Sequence, residues 1–300
     1  MFPTSHPRAP AGQTRLRKRL VNTGAWTELA AGQYAYKFLN KAPATIDRTA
    51  TDTIGVYGSR NLSEFALPIN YADTTFHFVP SGAAVAKVRD IIRSASCNKC
   101  HYQLAFHRAS RRSMELCILC HQPQTPDSTT PNTTDMPVMI HKIHYGANLP
   151  SVKVGKPYKL SSRDYSTVGF PAPAMACKVC HEPKSVAGAT QDTKWNSGPN
   201  RAACGSCHEN TNFQTGENHA GIPQATDIQC KTCHQPQGEL DFDISIAGAH
   251  MIPVEASLLA GVVFDITGAT DCRQQPSGHL HIEGQEGPSG GHQDDDQPAA

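Results

Sequence analysis

Five times between Cys97 and His234 the chain repeats one pattern: two cysteines with two residues between them and a histidine immediately after. The repeats are Cys97-Asn-Lys-Cys100-His101, Cys117-Ile-Leu-Cys120-His121, Cys177-Lys-Val-Cys180-His181, Cys204-Gly-Ser-Cys207-His208 and Cys230-Lys-Thr-Cys233-His234. A CxxC pair alone is as readily half of a zinc site or a redox dithiol. The trailing histidine decides the matter. By composition it should follow a given cysteine about one time in twenty, so five successes in five are on the order of one in three million by chance. CxxCH is the attachment signature of haem c. Two thiols on one helical turn reach the two vinyl groups of a porphyrin, and the histidine beside the second lies under the iron as its proximal ligand. Five covalent haems, held by these ten cysteines with His101, His121, His181, His208 and His234 as proximal ligands, are therefore expected.

The composition agrees. Apolar residues are 38% of the 300 positions and aromatics 7%, with 23 glycines and 22 prolines. That is thin material for two aliphatic cores, and roughly one porphyrin per 30 to 35 residues would replace what is missing. The 27 basic and 26 acidic groups leave a formal charge of +1, with no polycationic signature for nucleic acid. No stretch approaches the run of about 20 apolar residues that a membrane-spanning helix needs.

A second count bears on what the irons do, because the sixth coordination position separates electron carriage from substrate chemistry. Outside the motifs, from the first cysteine pair to residue 252, the histidines are His107, His141, His144, His219 and His250. Five distal candidates for five irons predict bis-histidine centres throughout. His141 and His144, three apart on a helix, would share a face but serve two neighbouring haems. Met136, Met139, Met175 and Met251 are thioether alternatives, read here as packing around porphyrin edges. His77 falls in an alternating strand-like stretch. His6, His279, His281 and His292 lie in Pro-, Gly- or Gln-rich tails and receive no role, and Cys272 is left unpaired.

Along the chain, residues 1–23 read as a disordered basic arm. Residues 24–80 alternate in short strands, Tyr34 to Phe38, Thr53 to Tyr57 and Thr75 to Val79, and form a small antiparallel β unit. A helical stretch from Val85 to Ser96 leads into the first motif. The region 81–252 is mostly irregular, with short helices carrying the motifs between polar connectors such as 125–134 and 191–201, which the porphyrins are expected to order. Residues 253–271 hold one strand around Val262 that finds no partner, and residues 272–300 read as disordered.

The runs His101-Tyr-Gln-Leu-Ala-Phe-His107, Ser110-Arg-Arg and Val138-Met-Ile-His-Lys-Ile-His resemble the OmcA/MtrC family of outer-membrane multihaem cytochromes, as does Cys230-Lys-Thr-Cys-His-Gln-Pro-Gln-Gly-Glu-Leu-Asp-Phe. The resemblance implies Greek-key β-barrel domains alternating with pentahaem domains. On that reading, residues 24–80 close one β domain, 81–252 are a pentahaem module and 253–271 open the next. It also implies bis-histidine ligation at the five distal residues already counted. The partners it implies are other multihaem cytochromes or an outer-membrane porin–cytochrome complex, and the acceptors are metal oxides or soluble shuttles. The expected location is the periplasm or the outward face of the outer membrane. Five motifs where the family usually carries ten, no signal peptide and an unfamilial tail lead to the expectation of a fragment with an altered C-terminus.

The expected function is an electron conduit rather than a catalyst. The alternative is a multihaem reductase of nitrogen or sulfur oxyanions with one open iron; a haem-storage protein is a third reading. Each haem brings two carboxylates, so the loaded protein would carry about −4 oxidised and about −9 reduced.

Overall fold

The computed structural model describes residues 24–181, 189–256, 262–264 and 284–286, the last two segments by backbone alone. Strands come first. β1 (Gly24–Ala30) and β2 (Gln33–Phe38) form one antiparallel hairpin, with Trp26 opposite Tyr36 and Gly24 opposite Phe38. β3 (Asp52–Arg60) and β4 (Asn70–Phe78) form a second, in unbroken register from Asp52–Phe78 to Arg60–Asn70. The expected β unit is therefore antiparallel, but among the described residues it is two separate two-stranded sheets and not a closed barrel. His77 is a strand residue as expected, its Nδ1 bonded to the Thr53 hydroxyl at 2.8 Å.

The second hairpin supports the haem-motif region. On its inner face Gly55 leaves room for Leu116 and Leu119 of α2 (Met114–Cys120); a Cβ there would lie 2.4 Å and 2.6 Å from their methyl carbons. Asp73, on the same face of β4, accepts hydrogen bonds from the amides of Arg112 and Ser113 at 2.7 and 2.9 Å. The start of α2 is thereby tied to the sheet.

The helix expected over Val85 to Ser96 is not there: α1 begins only at Ser94 and ends at His101. The backbone groups a helix would use are engaged elsewhere. Asp90 N–H donates to Gln191 Oε1 (3.3 Å), Asp90 C=O accepts from Gln191 N–H (2.8 Å), and Val88 C=O accepts from Gln191 Nε2 (3.1 Å). The Asp90 carboxylate accepts from Arg93 Nη2 (2.6 Å) and from Thr190 N–H (2.8 Å). A partner a hundred residues away outbids the local helix.

Those contacts, the Arg93 hydrogen bond foremost, hold the Asp90 carboxyl down at about 2. A folded-state value below the unfolded one stabilises above the unfolded value and is lost as pH falls through the folded one. Asp90→Asn is thus expected to remove on the order of 1 kcal/mol of stability at neutral pH, after allowance for the half-exposed Arg93, and to flatten the decline between about pH 4 and pH 2. Denaturant titrations of both proteins across that window measure it.

Beyond α2, helix α3 (Met136–Tyr145) is the longest in the region. Pro137 sits in its first turn and Gly146 ends it at φ +39°, where an added Cβ would lie 2.2 Å from the Val168 carbonyl oxygen. Under it lies a small cluster of buried residues, Leu149, Tyr158 and Leu160, packed against Met139, Ile143 and Tyr145. Met139 contributes to this aliphatic packing. Helix α4 (Pro150–Lys153) and the two-residue strands β5 (Lys159–Leu160) and β6 (Arg163–Asp164) close around this cluster. Ten hydrophobic side chains are buried among the described residues, and three of them, Leu149, Tyr158 and Leu160, form the cluster under α3.

The long connectors carry hydrogen bonds of their own. Asp127 gathers the 125–134 loop by accepting from Thr130 Oγ1 (2.7 Å), Ser128 N–H (2.9 Å) and Ser161 N–H (2.8 Å). The 191–201 connector contains α5 (Lys194–Ser197). Helices α6 (Arg201–Cys204), α7 (Cys230–Cys233) and α8 (Ile246–Ala249) are one turn each. Asn200 caps α6 through Ala203 N–H at 2.9 Å, and Ser245 caps α8 through Gly248 N–H at 2.9 Å. The strand expected to stay alone near Val262, β7 (Val262–Phe264), pairs antiparallel with β8 (Gly284–Glu286), which lies in the tail read as disordered. Main-chain groups suffice for such a pairing, so composition does not forbid it. His6, Cys272, His279, His281 and His292 lie outside the described residues.

Candidate haem centres

Each motif forms a single turn. In four of them the histidine N–H closes onto the carbonyl of the first cysteine: His121 to Cys117 (3.0 Å), His181 to Cys177 (2.9 Å), His208 to Cys204 (3.0 Å) and His234 to Cys230 (2.9 Å). The fifth, Cys97 to His101, lies within α1. The turn puts both thiols and the imidazole on one face, as positions i, i+3 and i+4 require. All twenty residues expected to hold haem fall within the described structure.

The distal candidates come to meet them, one each. Ring centres lie 5.9 Å apart for His101 and His144, 6.0 Å for His107 and His121, 6.3 Å for His141 and His181, 6.2 Å for His208 and His250, and 6.1 Å for His219 and His234. Two imidazoles on opposite sides of one metal, each bonded at about 2 Å with the ring centre about 1.1 Å further, stand about 6.2 Å apart. Every observed separation falls close to that value. No group of three or more His, Cys, Asp or Glu side chains fit to hold a metal occurs among the described residues. Two protein ligands per centre suit a metal whose other four ligands come with a macrocycle.

The electrostatics favour ligation. Burial, reinforced by the neighbouring His144, lowers the His141 pKa, and burial with His141 beside it takes His181 down to about 4. His208 is lowered by burial and by His250 and His234. These imidazoles are neutral at pH 7, as metal ligands must be. In four others a carbonyl fixes the tautomer, leaving the other ring nitrogen's lone pair for a metal. His121 Nδ1 bonds Thr134 O (2.9 Å), His144 Nδ1 bonds Ile140 O (2.9 Å), His219 Nδ1 bonds Ile222 O (2.8 Å) and His250 Nδ1 bonds Ile246 O (2.8 Å). The Nδ1 atoms of His141 and His181 are buried without a hydrogen-bond partner.

The thiols reveal which motifs adjoin. Burial pushes Cys97 up to about 11, with the Cys180 thiol adding to it; Cys180 is raised by burial and by Cys100. Cys117 is pushed up to about 11 by burial, Asp73 and Cys97. Burial takes Cys177 to about 11 with Cys207 contributing, and Cys230 is raised by burial, Asp227 and Cys204. The second motif thus adjoins the first, the first the third, the third the fourth, and the fourth the fifth.

Two residues the sequence did not single out brace this array. Lys142, between the two histidines of α3, pairs with Glu209, which directly follows His208; both side chains are largely buried. Glu209 also accepts from Ser151 N–H at 2.9 Å, and the Lys142 ammonium lies 5.1 Å from the centre of the Tyr158 ring. A lysine between two candidate ligand histidines was the one available hint, and its partner stands 67 positions away.

One-turn CxxCH motifs, each facing a second imidazole at the width of a liganded metal, define a multihaem cytochrome of the c type. The family described as outer membrane cytochrome MtrC/MtrF-like, domains II/IV, matches residues 89–245. The chain belongs to this family. Multiheme cytochrome MtrC of Shewanella baltica (strain OS185) is 24% identical over 219 residues, covering 70% of this chain and 29% of that one. In solved structures the fold is similar to MtrC from Shewanella baltica OS185, with a TM-score of 0.53 at 22% identity over 71% of this chain and 32% of that one. It is also similar to the outer membrane decaheme cytochrome OmcA, with a TM-score of 0.56 at 22% identity over 75% and 33%. The chain spans about a third of the length of these relatives. No helix among the described residues is long and apolar enough to cross a membrane.

Proposed function

We propose that residues 81–252 are a pentahaem module that conducts electrons through five bis-histidine haem c groups. The pairs are His101 with His144, His121 with His107, His181 with His141, His208 with His250 and His234 with His219. The observation that carries the reading is the near-constant separation of these five ring pairs, 5.9 to 6.3 Å, in a chain with one distal histidine per motif. When bound, each haem supplies a one-electron iron couple. The protein's share is positional. One rigid helix, α3, holds His141 and His144 toward two different motifs and so fixes two centres side by side. Backbone carbonyls orient the imidazoles of His121, His144, His219 and His250, and burial favours the neutral form of His141, His181 and His208. The neighbouring thiols support contacts of the first motif with the second and third, of the third with the fourth, and of the fourth with the fifth.

With every motif histidine facing a second imidazole, no iron is left open for an oxyanion, which weighs against a reductase. We further propose that residues 24–80 belong to a β domain and 253–271 to another, and that the module works at the periplasmic or outward face of the outer membrane. Its partners would be other multihaem cytochromes or a porin–cytochrome complex, and its acceptors metal oxides or soluble shuttles.

Protein matured in a host competent for haem c attachment tests this. Its mass is expected to exceed the bare polypeptide by five porphyrins, and electron paramagnetic resonance of the oxidised form to show low-spin ferric haem alone. A bare mass, or polypeptide plus zinc, overturns the reading; a stoichiometric high-spin ferric signal replaces the conduit with the reductase.

A further inference from the structure

Three guanidinium groups, those of Arg108, Arg111 and Arg112, follow His107 within five positions, and none of them forms an ion pair among the described residues. Arg111 is held without a carboxylate: its guanidinium carbon lies 3.8 Å from the Tyr57 ring centre, and Nη1 donates to the Ser110 hydroxyl (2.6 Å) and the His107 carbonyl (3.3 Å). Arg112 donates to Ala109 O (3.0 Å) and Gln103 Oε1 (2.9 Å) and lies 5.1 Å from the Tyr71 ring centre. The Asp73 carboxylate accepts instead from two backbone amides.

The backbone that presents these groups is strained. His107, Arg108 and Ala109 stand consecutively at φ 50°, 61° and 65°, a left-handed run of three residues none of which is glycine. Such runs persist where the surroundings over-determine them. This one brings the His107 ring to His121 while Arg108 and Arg111 line an open cleft of about 350 Å³ with Tyr57, Tyr71 and Ser110. A candidate iron ligand and two unneutralised cations therefore share one turn of chain.

We propose that Arg108 and Arg111 are the counter-charge for the carboxylates of the haem held between His107 and His121, and that they set its reduction potential. The inference rests on the five-haem reading. A porphyrin brings two carboxylates, and a guanidinium matches a carboxylate with two parallel N–H···O bonds. A fixed cation beside the centre favours the state with one more electron, so its removal makes that centre harder to reduce.

The test is a spectroelectrochemical titration of the haem-loaded protein against Arg108→Gln, Arg111→Gln and the double variant. In the double variant one reduction step is expected to weaken about tenfold in its equilibrium, which is about 59 mV for a one-electron couple, while the others stay within about twofold. Arg111→Lys keeps the charge but loses the fork, so about threefold or less is expected. Arg163→Gln, an exposed arginine on β6, is the control for loss of one charge and should move no step. If no step moves in the double variant while its mass and resonance spectrum show complete, low-spin haem, the counter-charge is refuted and the conduit reading stands. A step that moves only when phosphate is present in the buffer refutes it too, since the cleft then takes a free anion. Should the double variant lose low-spin haem, the single variants and Arg111→Lys decide by the same criteria. A wild-type mass without porphyrin refutes the haem reading itself.

Discussion

His144→Ala is expected to turn one haem in five from low-spin to high-spin, the one attached at Cys97 and Cys100, and His141→Ala to do the same to the one attached at Cys177 and Cys180. The two histidines are three positions apart on α3 yet face different rings, His101 at 5.9 Å and His181 at 6.3 Å. Each substitution removes one axial imidazole and leaves its partner bound, so about a fifth of the low-spin signal should be lost in each case. The pairings are tested by additivity. His101→Ala combined with His144→Ala strikes one centre twice and should cost no more low-spin haem than either alone. His101→Ala combined with His141→Ala strikes two centres and should cost about twice as much. Resonance spectra of the oxidised variants measure both. An undiminished low-spin signal in His144→Ala would remove it from the ligand set.

The candidate residues of these proposed centres could be picked out in sequence because the chemistry of the motif is local. CxxCH works within one turn, and one turn is what Cys117 to His121 and Cys230 to His234 form. Counting selected the distal five because a bis-histidine iron needs one from elsewhere, but a count carries no direction. That His107 meets His121, the later motif, and not nearby His101 depends on the left-handed run at 107–109, which residue identities do not announce. The false helix over Val85 to Ser96 has the same origin. Its apolar spacing was real, yet the amide and carbonyl of Asp90 are taken by Gln191, and an exchange across a hundred residues leaves no local periodicity. Strands β2 to β4 were readable from alternation. The pairing of β7 with Gly284–Glu286 was not, since main-chain bonds ask little of composition.

Lys142→Met should be the most destabilising single change outside the ligands, by about 3 kcal/mol, because breaking a buried pair strands the remaining charge. The side chains of Lys142 and Glu209 are 16% and 13% exposed, so neither recovers full hydration when its partner goes. Burial alone would raise the Glu209 carboxyl; Lys142 and the amide of Ser151 outweigh it and leave the net shift downward, which shows the charge to be dependent on them. Removing both charges is a different matter. Lys142→Met with Glu209→Leu fills the same space without an ion, and should recover most of the loss, since an apolar replacement of a buried pair is often neutral or better. The pair ties α3, which carries the proposed ligands of two centres, to the residue following His208, so the unfolding that ends the proposed bis-histidine ligation should move with it. Denaturant titration of the haem-loaded proteins, followed at the Soret band, reads that transition. A shift within about 0.5 kcal/mol for Lys142→Met would class the bridge with solvent-screened surface pairs, and α3 would then be held by the Leu149, Tyr158 and Leu160 cluster alone.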